Sequence, residues 1–372
     1  MGRNNRSQYV DILRGISIFL VLIHHFSIVY RYEDNDSILS AIFHASRYIS
    51  RNGNYAVTMF FAISGYLITS NAYRHWGVLS NIQIKTFYIF RAARILPCLL
   101  LLLIVVNLMA FYGFDIFQNH SEFGGTVSWW LVNLASLTYW INILMRFHGW
   151  FNYVLCVQWS LAIEEVFYII FPIFCVLFRR ERNLIFVWGV FISIGPIWRF
   201  FYHGSEYDEL NSYLSCFDGI AFGCIAAVID KSINPRPELA KMIILTSSFF
   251  MTIFYLTQWV GQSAYYGVTF MAFGTSVILV GQSRLKQNVW RFWVPVANLG
   301  RNSYELYLFH LLVLALIQIA YPSGTVSGKT ELFLLSIFLV SAISFSLIVS
   351  RLYSNPLNKF FRERFRDRRT AN

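Results

Sequence analysis

The chain has 372 residues, of which 56% are hydrophobic and only 13% charged, and its formal net charge is +11. With a mean hydropathy of +0.51, this composition excludes a soluble globular domain. A spanning helix requires about 20 apolar residues, and stretches of that length recur as far as position 350. The sequence therefore predicts an all-α fold, a polytopic membrane helical bundle.

Ten strong spans are predicted along the chain. They lie at approximately 10–30, 53–72, 95–113, 159–178, 184–202, 212–230, 242–260, 264–282, 297–320 and 331–350. We predict one membrane domain over residues 1–350 and a basic cytoplasmic tail over residues 351–372. The first span is expected to be retained, because charged residues interrupt its apolar run and no small-residue cleavage site follows.

An eleventh stretch, residues 129–147, is weaker than the others and rich in aromatic residues. These are Trp129, Trp130, Tyr139 and Trp140. With ten crossings and the amino terminus inside, the inside segments hold 22 of the 30 Lys and Arg, against five outside and three within spans. An eleventh crossing would place the basic cluster at 179–182 outside and invert every later basic loop. We therefore predict that 129–147 is interfacial or re-entrant on the outer side, and that both termini are cytoplasmic.

The positive net charge would indicate nucleic acid in a soluble protein, but here orientation explains most of it, and no nucleic-acid partner is predicted. The tail interleaves basic and phenylalanine residues. They are Lys359, Phe360, Phe361, Arg362, Arg364, Phe365, Arg366, Arg368 and Arg369. This pattern fits a segment lying on an anionic inner leaflet, so membrane lipids are predicted partners.

The five cysteines stand singly in apolar segments, without CxxC or CxxH spacing. They are Cys98, Cys156, Cys175, Cys216 and Cys224. Core positions are predicted for them, with neither a disulfide framework nor a metal site.

The first span carries four ionisable residues, Asp11, Arg14, His24 and His25. Arg14 and His25 are eleven residues apart, so they share nearly the same helix face about 16 Å apart along the axis. Charged groups at membrane depth usually face a bundle interior or wet cavity and mark a site. The pair is therefore predicted to be functional, with anchoring of Arg14 near a helix end as the alternative.

Arg91 and Arg94 stand at the predicted inner mouth of the third span. Residues three apart on a helix are neighbours, so two guanidinium groups could converge on one anion. A diphosphate or a nucleotide 3′-phosphate on the cytoplasmic side would suit them. Spacing alone favours the alternative, positive-inside anchoring or contact with lipid headgroups.

The fourth span opens with Trp159 and carries Glu164 and Glu165 near its outer end. Glu165 is explained by the positive dipole end of the helix. If Glu164 faces the bundle, it lies at about the depth of His25. A carboxylate beside an imidazole raises its basicity and orients it, which general-base chemistry on a hydroxyl requires.

The ninth span offers Arg301 and Glu305, which are four apart and could neutralise each other. Tyr304, Tyr307 and His310 follow at three-residue steps along one stripe that could line a cavity, although a structural role for a lone histidine is equally favoured. In the second span, the small residues within 60–67 favour close helix packing.

In these motifs the sequence resembles the acyltransferase family 3 membrane proteins, bacterial enzymes that O-acylate surface sugars and other acceptors. The resemblance runs along most of the chain. The shared motifs are Tyr9-Val10-Asp11-Ile12-Leu13-Arg14-Gly15 with His25, Phe60-Phe61-x-x-Ser64-Gly65-Tyr66-Leu67, Arg91-x-x-Arg94, Trp159-Ser160-Leu161-x-x-Glu164 and Ser303-Tyr304-x-Leu306-Tyr307-Leu308-x-His310.

The resemblance implies an acyl-CoA donor, usually acetyl-CoA, bound from the cytoplasm, and a hydroxyl acceptor reached from the outer side. By that likeness Arg14 and His25 belong to the catalytic centre, Arg91 and Arg94 to donor binding, and Glu164 to the acyl-transfer cavity. No outer hydrolase-like domain is expected after residue 372, so the membrane unit or a separate partner would complete transfer.

Two positions depart from the pattern of the family. The family often shows Arg-Phe-Asp where this chain has Cys216-Phe217-Asp218, and Glu-x-Pro where it has Ser354-Asn355-Pro356. Cys216 and, in the second motif, Ser354 and Asn355 therefore inherit no family role.

Together these observations predict an O-acyltransferase of the bacterial inner (plasma) membrane. It would move an acyl group, predicted to be acetyl, from cytoplasmic acyl-CoA to a hydroxyl of a cell-surface or exported glycan. No metal is predicted, and glycan-assembly machinery is a further predicted partner. The alternatives are a proton-coupled transporter or channel with a buried Arg/His/Glu path, and a non-catalytic scaffold.

In the predicted mechanism His25, oriented by Glu164 or, as second choice, Asp11, deprotonates the acceptor hydroxyl or transiently accepts the acyl group. Arg14 stabilises negative charge on the donor or in the transition state. His24 points about 100° away from His25, so His24→Ala should retain much activity. The residues predicted to line the substrate cavity are Asp11, Trp159, Tyr304, Tyr307 and His310.

Overall fold

The computed structural model describes residues 7–30, 47–233, 235–285, 289–326 and 328–370, with 206, 328 and 365–370 as backbone alone. No β-strand forms in this part of the chain. The helices are α1 (Gln8–Val29), α2 (Gly53–Trp76), α3 (Ile84–Phe111), α4 (Trp129–Leu137), α5 (Ile141–His148), α6 (Gln158–Leu177), α7 (Glu181–Phe201), α8 (Glu206–Leu210), α9 (Tyr213–Ser232), α10 (Pro237–Thr257), α11 (Val260–Gln282), α12 (Val294–Arg301), α13 (Ser303–Ala320), α14 (Gly328–Val349) and α15 (Asn355–Thr370). The predicted all-α fold is confirmed.

Within the described ranges, nine helical runs are long and apolar enough to cross a bilayer, and each coincides with a predicted span. The remaining predicted span, 53–72, forms the continuous 24-residue helix α2, which is long enough to cross but less apolar than the nine. The chain is therefore a polytopic membrane helical bundle. The side of the membrane that each terminus faces stays a prediction.

The helices expose apolar side chains and bury charged ones. Phe186, Leu245 and Phe249 are 72%, 71% and 62% exposed, whereas the side chains of Arg199 and Asp218 are completely buried. Exposing such apolar area to water would cost about 25 cal/mol per Å². Lipid removes that cost, so the distribution is that of helices solvated by hydrocarbon.

The chain divides into two compact units. The first consists of the described parts of Met1–Ile28, Asp34–Asn81 and Phe174–Ser303. In it, α2 packs closely against α9, because a Cβ atom on Gly65 would overlap the Ile220 carbonyl. The close packing predicted for residues 60–67 is therefore present.

Helix α1 approaches α12 of the same unit with equal closeness. A Cβ atom on Gly15 would overlap the backbone of Val296, and one on Gly300 would overlap the carbonyl of Asp11. Glycine is required at both positions, because no side chain could be accommodated at this backbone separation. This contact fixes the amino-terminal half of α1, which carries Arg14.

The second unit consists of the described parts of Val29–Glu33, Ile82–Ile173 and Tyr304–Asn372. Here 129–147 forms two short helices, α4 and α5, of 9 and 8 residues. Between them Tyr139 adopts a left-handed backbone, with φ of 62°. At 1.5 Å per residue neither helix exceeds about 14 Å, less than half of a hydrocarbon core. No continuous crossing helix forms there, and its interfacial or re-entrant location stays a prediction.

Three boundaries differ from the sequence-based prediction. The ninth span was predicted as one helix over 297–320, but α12 ends at Arg301 and α13 begins at Ser303. Asn302 separates them and donates its side-chain amide to the Asn298 carbonyl, which is 2.9 Å away. Arg301 therefore lies outside the spanning helix.

The third span was predicted to begin at 95, but α3 already begins at Ile84. Lys85 and the two arginines are good helix formers, so the helix extends through the basic segment. Arg91 consequently lies about 10 Å from the start of α3, and its location at the inner mouth of the membrane span stays a prediction.

The predicted tail is helical in its described part. A π turn, Ser350–Ser354, joins α14 to α15. The side chains of Arg366, Arg368 and Arg369 and residues 371–372 lie outside the described residues.

Candidate active site

In the first unit, α1 is continuous from Gln8 to Val29, so Arg14 and His25 keep their separation of about 16 Å. The Arg14 Nε donates a hydrogen bond to Ser303 Oγ at 3.0 Å. Ser303 opens the last of the family-like motifs, so the first and last motifs meet although they are 289 residues apart. Sequence reasoning did not connect these two residues.

Asp11 is 1% exposed and accepts a hydrogen bond from Arg301 Nε at 3.1 Å. Arg301 therefore pairs with Asp11 and not with Glu305, the partner considered from sequence. Asp11 and His25 are 14 residues apart on one helix, a separation of about 21 Å. Asp11 is thus too distant to orient the His25 ring.

The two adjacent histidines of α1 have different surroundings. The His24 Nδ1 forms a hydrogen bond with the Ser50 carbonyl, and its ring packs so closely on Gly53 that a Cβ atom there would overlap it. The ring centroids of His24 and His25 are 5.2 Å apart in an edge-to-face arrangement. His24 is therefore anchored structurally, and a control substitution there must keep a group that can bond with Ser50.

In the second unit, the Arg91 guanidinium lies between two carboxylates and an aromatic ring. Its Nη2 is 3.5 Å from Glu165 Oε1 and 3.9 Å from Glu164 Oε1, and its Cζ lies 3.5 Å from the Tyr168 ring centroid. The Tyr168 hydroxyl donates to Glu164 on the same helix, α6. Arg91 and Glu164, predicted at opposite ends of the membrane, are therefore neighbours in one cluster.

This cluster is only partly closed to its surroundings. The side chains of Arg91 and Glu164 are 26% and 27% exposed, whereas Glu165 is 7% exposed. The buried Nε of Arg91 has no hydrogen-bond partner among the described residues. The cluster thus combines a shielded ion pair with an accessible carboxylate and an unsatisfied donor.

Tyr139, at the break between α4 and α5, lies beside the same cluster. Burial raises the pKa of its phenol, the Glu165 carboxylate raises this pKa further, and the Arg91 charge opposes both. The predicted outer segment therefore contributes an aromatic residue to the Arg91 cluster.

Arg94 contacts α13 and not the carboxylates that surround Arg91. Its Cζ lies 5.6 Å from the ring centroid of Tyr304, and the Tyr304 hydroxyl donates to the Ile95 carbonyl at 2.9 Å. Arg91 and Arg94 therefore lie against different helices, which sequence spacing could not indicate.

The remaining predicted cavity residues pair α6 with α13. The Tyr307 hydroxyl bonds with Ser160 Oγ and with the Val157 carbonyl, at 3.2 Å in the second case. His310 is completely buried, and its Nδ1 lies 2.7 Å from the Tyr307 carbonyl. Trp159 is 7% exposed at the start of α6.

The predicted residues divide between the two units. Asp11, Arg14 and His25 belong to the first unit, and the others to the second. The latter are Arg91, Arg94, Trp159, Glu164, Tyr304, Tyr307 and His310. The proposed pairing of His25 with Glu164 stays a prediction.

A buried ion pair in the first unit escaped sequence reasoning. Arg199 of α7 and Asp218 of α9 are both fully buried and joined by two hydrogen bonds, Nη2–Oδ2 at 2.6 Å and Nη1–Oδ1 at 3.1 Å. Arg199 also donates to Thr269 Oγ1 at 2.6 Å. Cys216, where the pattern of the family is broken, is buried and donates to the Leu210 carbonyl. The arginine beside Asp218 therefore comes from a neighbouring helix.

The second departure from the family pattern lies in the π turn. Asn355 Nδ2 donates to Ser350 Oγ at 3.0 Å, and Ser354 Oγ donates to Glu305 at 2.6 Å. Both side chains thus stabilise the junction between α14 and α15.

The five cysteines are unbonded to one another, and four of them are buried as predicted. Among the described residues, no group of three or more His, Cys, Asp or Glu is placed to hold a metal ion.

The model of a family described as Acyltransferase domain matches residues 7–351, nearly the whole chain. The chain therefore belongs to this acyltransferase family and is an acyltransferase by class, as the sequence motifs predicted.

Similar proteins carry related names. A candidate O-acetyltransferase of Staphylococcus aureus (strain COL) is 26% identical over 347 residues, covering 86% of this chain and 55% of that protein. O-acetyltransferase OatA of Staphylococcus aureus (strain NCTC 8325 / PS 47) is 26% identical over 312 residues, covering 77% of this chain and 50% of OatA. The chain spans about half the length of the curated relatives it matches. No solved structure matches the chain.

Proposed function

We propose that the protein is a membrane O-acyltransferase that moves an acetyl group from cytoplasmic acetyl-CoA, or another acyl-CoA, to a hydroxyl of a cell-surface or exported glycan. The names of the relatives support O-acetyl transfer. The proposed location is the bacterial inner membrane with both termini cytoplasmic, supported by the concentration of Lys and Arg in the predicted inside segments. Glycan-assembly machinery is proposed as a partner.

The observation that carries this proposal is the cluster around Arg91. A guanidinium held inside a spanning bundle by two carboxylates is costly to bury and is by default a candidate functional site, and Arg91, unlike the fully buried Arg199, is 26% exposed to a ligand. Residues assigned by family likeness to donor binding and to acyl transfer, Arg91 and Glu164, are neighbours there. An acyl group bound beside Arg91 would therefore lie next to the carboxylate of Glu164.

In the proposed reaction the acceptor oxygen attacks the thioester carbonyl carbon, and the bond from that carbon to sulfur breaks. His25 removes the proton of the attacking hydroxyl, and this proton passes to the CoA thiolate that leaves. Arg14, fixed by its bond to Ser303 and about 16 Å from His25 along α1, is proposed to stabilise negative charge on the donor.

The proposal is tested by measuring CoA release from acetyl-CoA by the purified full chain, with and without candidate glycan acceptors. Acceptor-dependent release is expected, with one acetyl ester formed per CoA. Movement of a substrate across vesicles without CoA consumption would instead establish the transporter. That rival also predicts no special requirement for Arg91 and Arg94.

The role of His25 is tested by comparing His25→Ala with a control at the neighbouring ring. Because His24 bonds with the Ser50 carbonyl, His24→Asn is the matched control, since it keeps a donor there. At matched expression, His25→Ala should abolish acyl transfer and His24→Asn should retain most of it. Equal activity in the two variants would exclude His25 as the general base.

A further inference from the structure

The carboxy-terminal helix is fixed onto the helix that carries Arg91 and Arg94. The Tyr353 hydroxyl donates to the Pro97 carbonyl of α3 at 3.2 Å, and the π turn is bound to α13 through the buried bond from Ser354 to Glu305. Beyond this turn α15 packs along α3. The basic side chains of α15 therefore have a defined position relative to α3.

One of those side chains extends over α3. The Cζ of Arg362 lies 4.9 Å from the ring centroid of Phe90. Phe90 precedes Arg94 by four residues, so the two share a helix face about one turn apart. Three guanidinium groups are therefore gathered at this end of α3.

The three guanidinium groups differ in the side chains that surround them. Arg91 has the carboxylates of Glu164 and Glu165 within 4 Å. Arg94 and Arg362 contact aromatic rings, and neither forms an ion pair in the part of the chain that the structure describes. Arg362 is exposed and Arg94 half-buried, so both are accessible to a ligand.

We propose that Arg362 and Arg94 together bind the phosphate groups of the acyl-CoA donor, so that the carboxy-terminal helix completes the donor site. This assignment rests on the proposed function. Guanidinium groups match phosphate oxygens in geometry and charge, and an aromatic ring beneath each cation restricts its orientation. The phosphate of an anionic lipid headgroup has the same chemistry and is the other source that the experiment must distinguish.

The test compares Arg362→Gln with Arg364→Gln on the same helix. Arg364 is exposed and lies over Phe360 of α15 itself, 6.0 Å from the ring centroid, so it is the matched control. Full-length variants in nanodiscs of neutral phosphatidylcholine are assayed for the KM of acetyl-CoA and for binding of CoA. Arg362→Gln should weaken both by about tenfold, the lower end for a charged hydrogen bond, while Arg364→Gln leaves both near wild type.

A second donor, acetyl-3′-dephospho-CoA, locates the contact. If Arg362 meets the 3′-phosphate, this donor removes the difference between Arg362→Gln and wild type. If the difference persists, Arg362 meets the diphosphate, which also supports the proposal.

Equal donor affinity in the Arg362 and Arg364 variants would overturn the assignment. An effect of Arg362→Gln confined to nanodiscs that contain phosphatidylglycerol would also overturn it, since it would identify the lipid headgroup as the ligand. Wild-type binding of CoA that depends on Arg362, without acyl transfer to any acceptor, would refute the proposed function but leave the phosphate site in place.

Discussion

Replacing Arg199 by Met tests the structural importance of the buried ion pair of the first unit. Arg199 and Asp218 are fully buried, and the arginine contacts both carboxylate oxygens, Thr269 and the Ser215 carbonyl. In Arg199→Met the carboxylate keeps two donors among the described residues, Thr269 Oγ1 at 3.0 Å and the Gly219 amide at 2.8 Å. It would then be a buried charge without a counter-ion.

The magnitude follows from the cost of such a charge. Breaking a buried pair by removing one partner costs about 3–5 kcal/mol. At roughly 2 °C per kcal/mol, the value for large domains, the melting temperature should fall by about 6–10 °C. In Arg199→Met/Asp218→Leu no charge remains buried, so most of this loss should be recovered.

The assay is thermal unfolding of the purified chain in one detergent, followed by tryptophan fluorescence and by the monomer fraction after heating. A single variant that melts within about 2 °C of wild type would refute the reasoning. The reasoning would also be refuted if the double variant lost as much stability as the two single variants added together. The loss would then not come from the unpaired charge.

Three further outcomes are expected. Gly300→Ala should destabilise the chain by about 1–3 kcal/mol or more in thermal unfolding, because its methyl group overlaps the backbone of α1, whereas Gly189→Ala, which meets nothing within 4 Å, should change stability by less than about 1 kcal/mol. In donor kinetics, Tyr304→Phe should keep the KM of acetyl-CoA because the ring beside Arg94 remains, and Tyr304→Leu should raise it severalfold. Arg91→Lys keeps the charge but loses the planar fork, so kcat/KM should fall by about tenfold without a comparable loss of stability.

The sequence indicated the helices and the family because these depend on signals that extend along the chain. Apolar stretches of bilayer length predicted the spans, and basic residues between them argued against a crossing at 129–147, which forms two short helices. The break at Asn302 was missed because an apolar window over 297–320 averages across it. The early start of α3 was missed because its basic residues were counted as loop.

Partners of buried charges could not be predicted, because they belong to helices that are distant in sequence. No motif predicted the partner of Asp11, which pairs with Arg301, 290 residues away in sequence. Arg199 and Asp218 belong to different helices. Hydropathy places each residue inside a span but does not identify the other as its partner. The assignments of His25, Arg14 and Glu164 to catalysis stay predictions for the same reason, since their chemistry depends on such placement.

The two arginine–carboxylate groups suggest how a structural ion pair differs from one at a site. Arg199 meets Asp218 through two short bonds with no exposure, so any movement would strand a charge in hydrocarbon. Arg91 meets its carboxylates at 3.5 and 3.9 Å and is 26% exposed. These contacts are long and the side chain is partly accessible, so a ligand could replace one of them without the penalty that fixes Arg199. Chemistry that requires a charge to change partners is therefore favoured at Arg91, the arginine whose neighbours leave it room to do so.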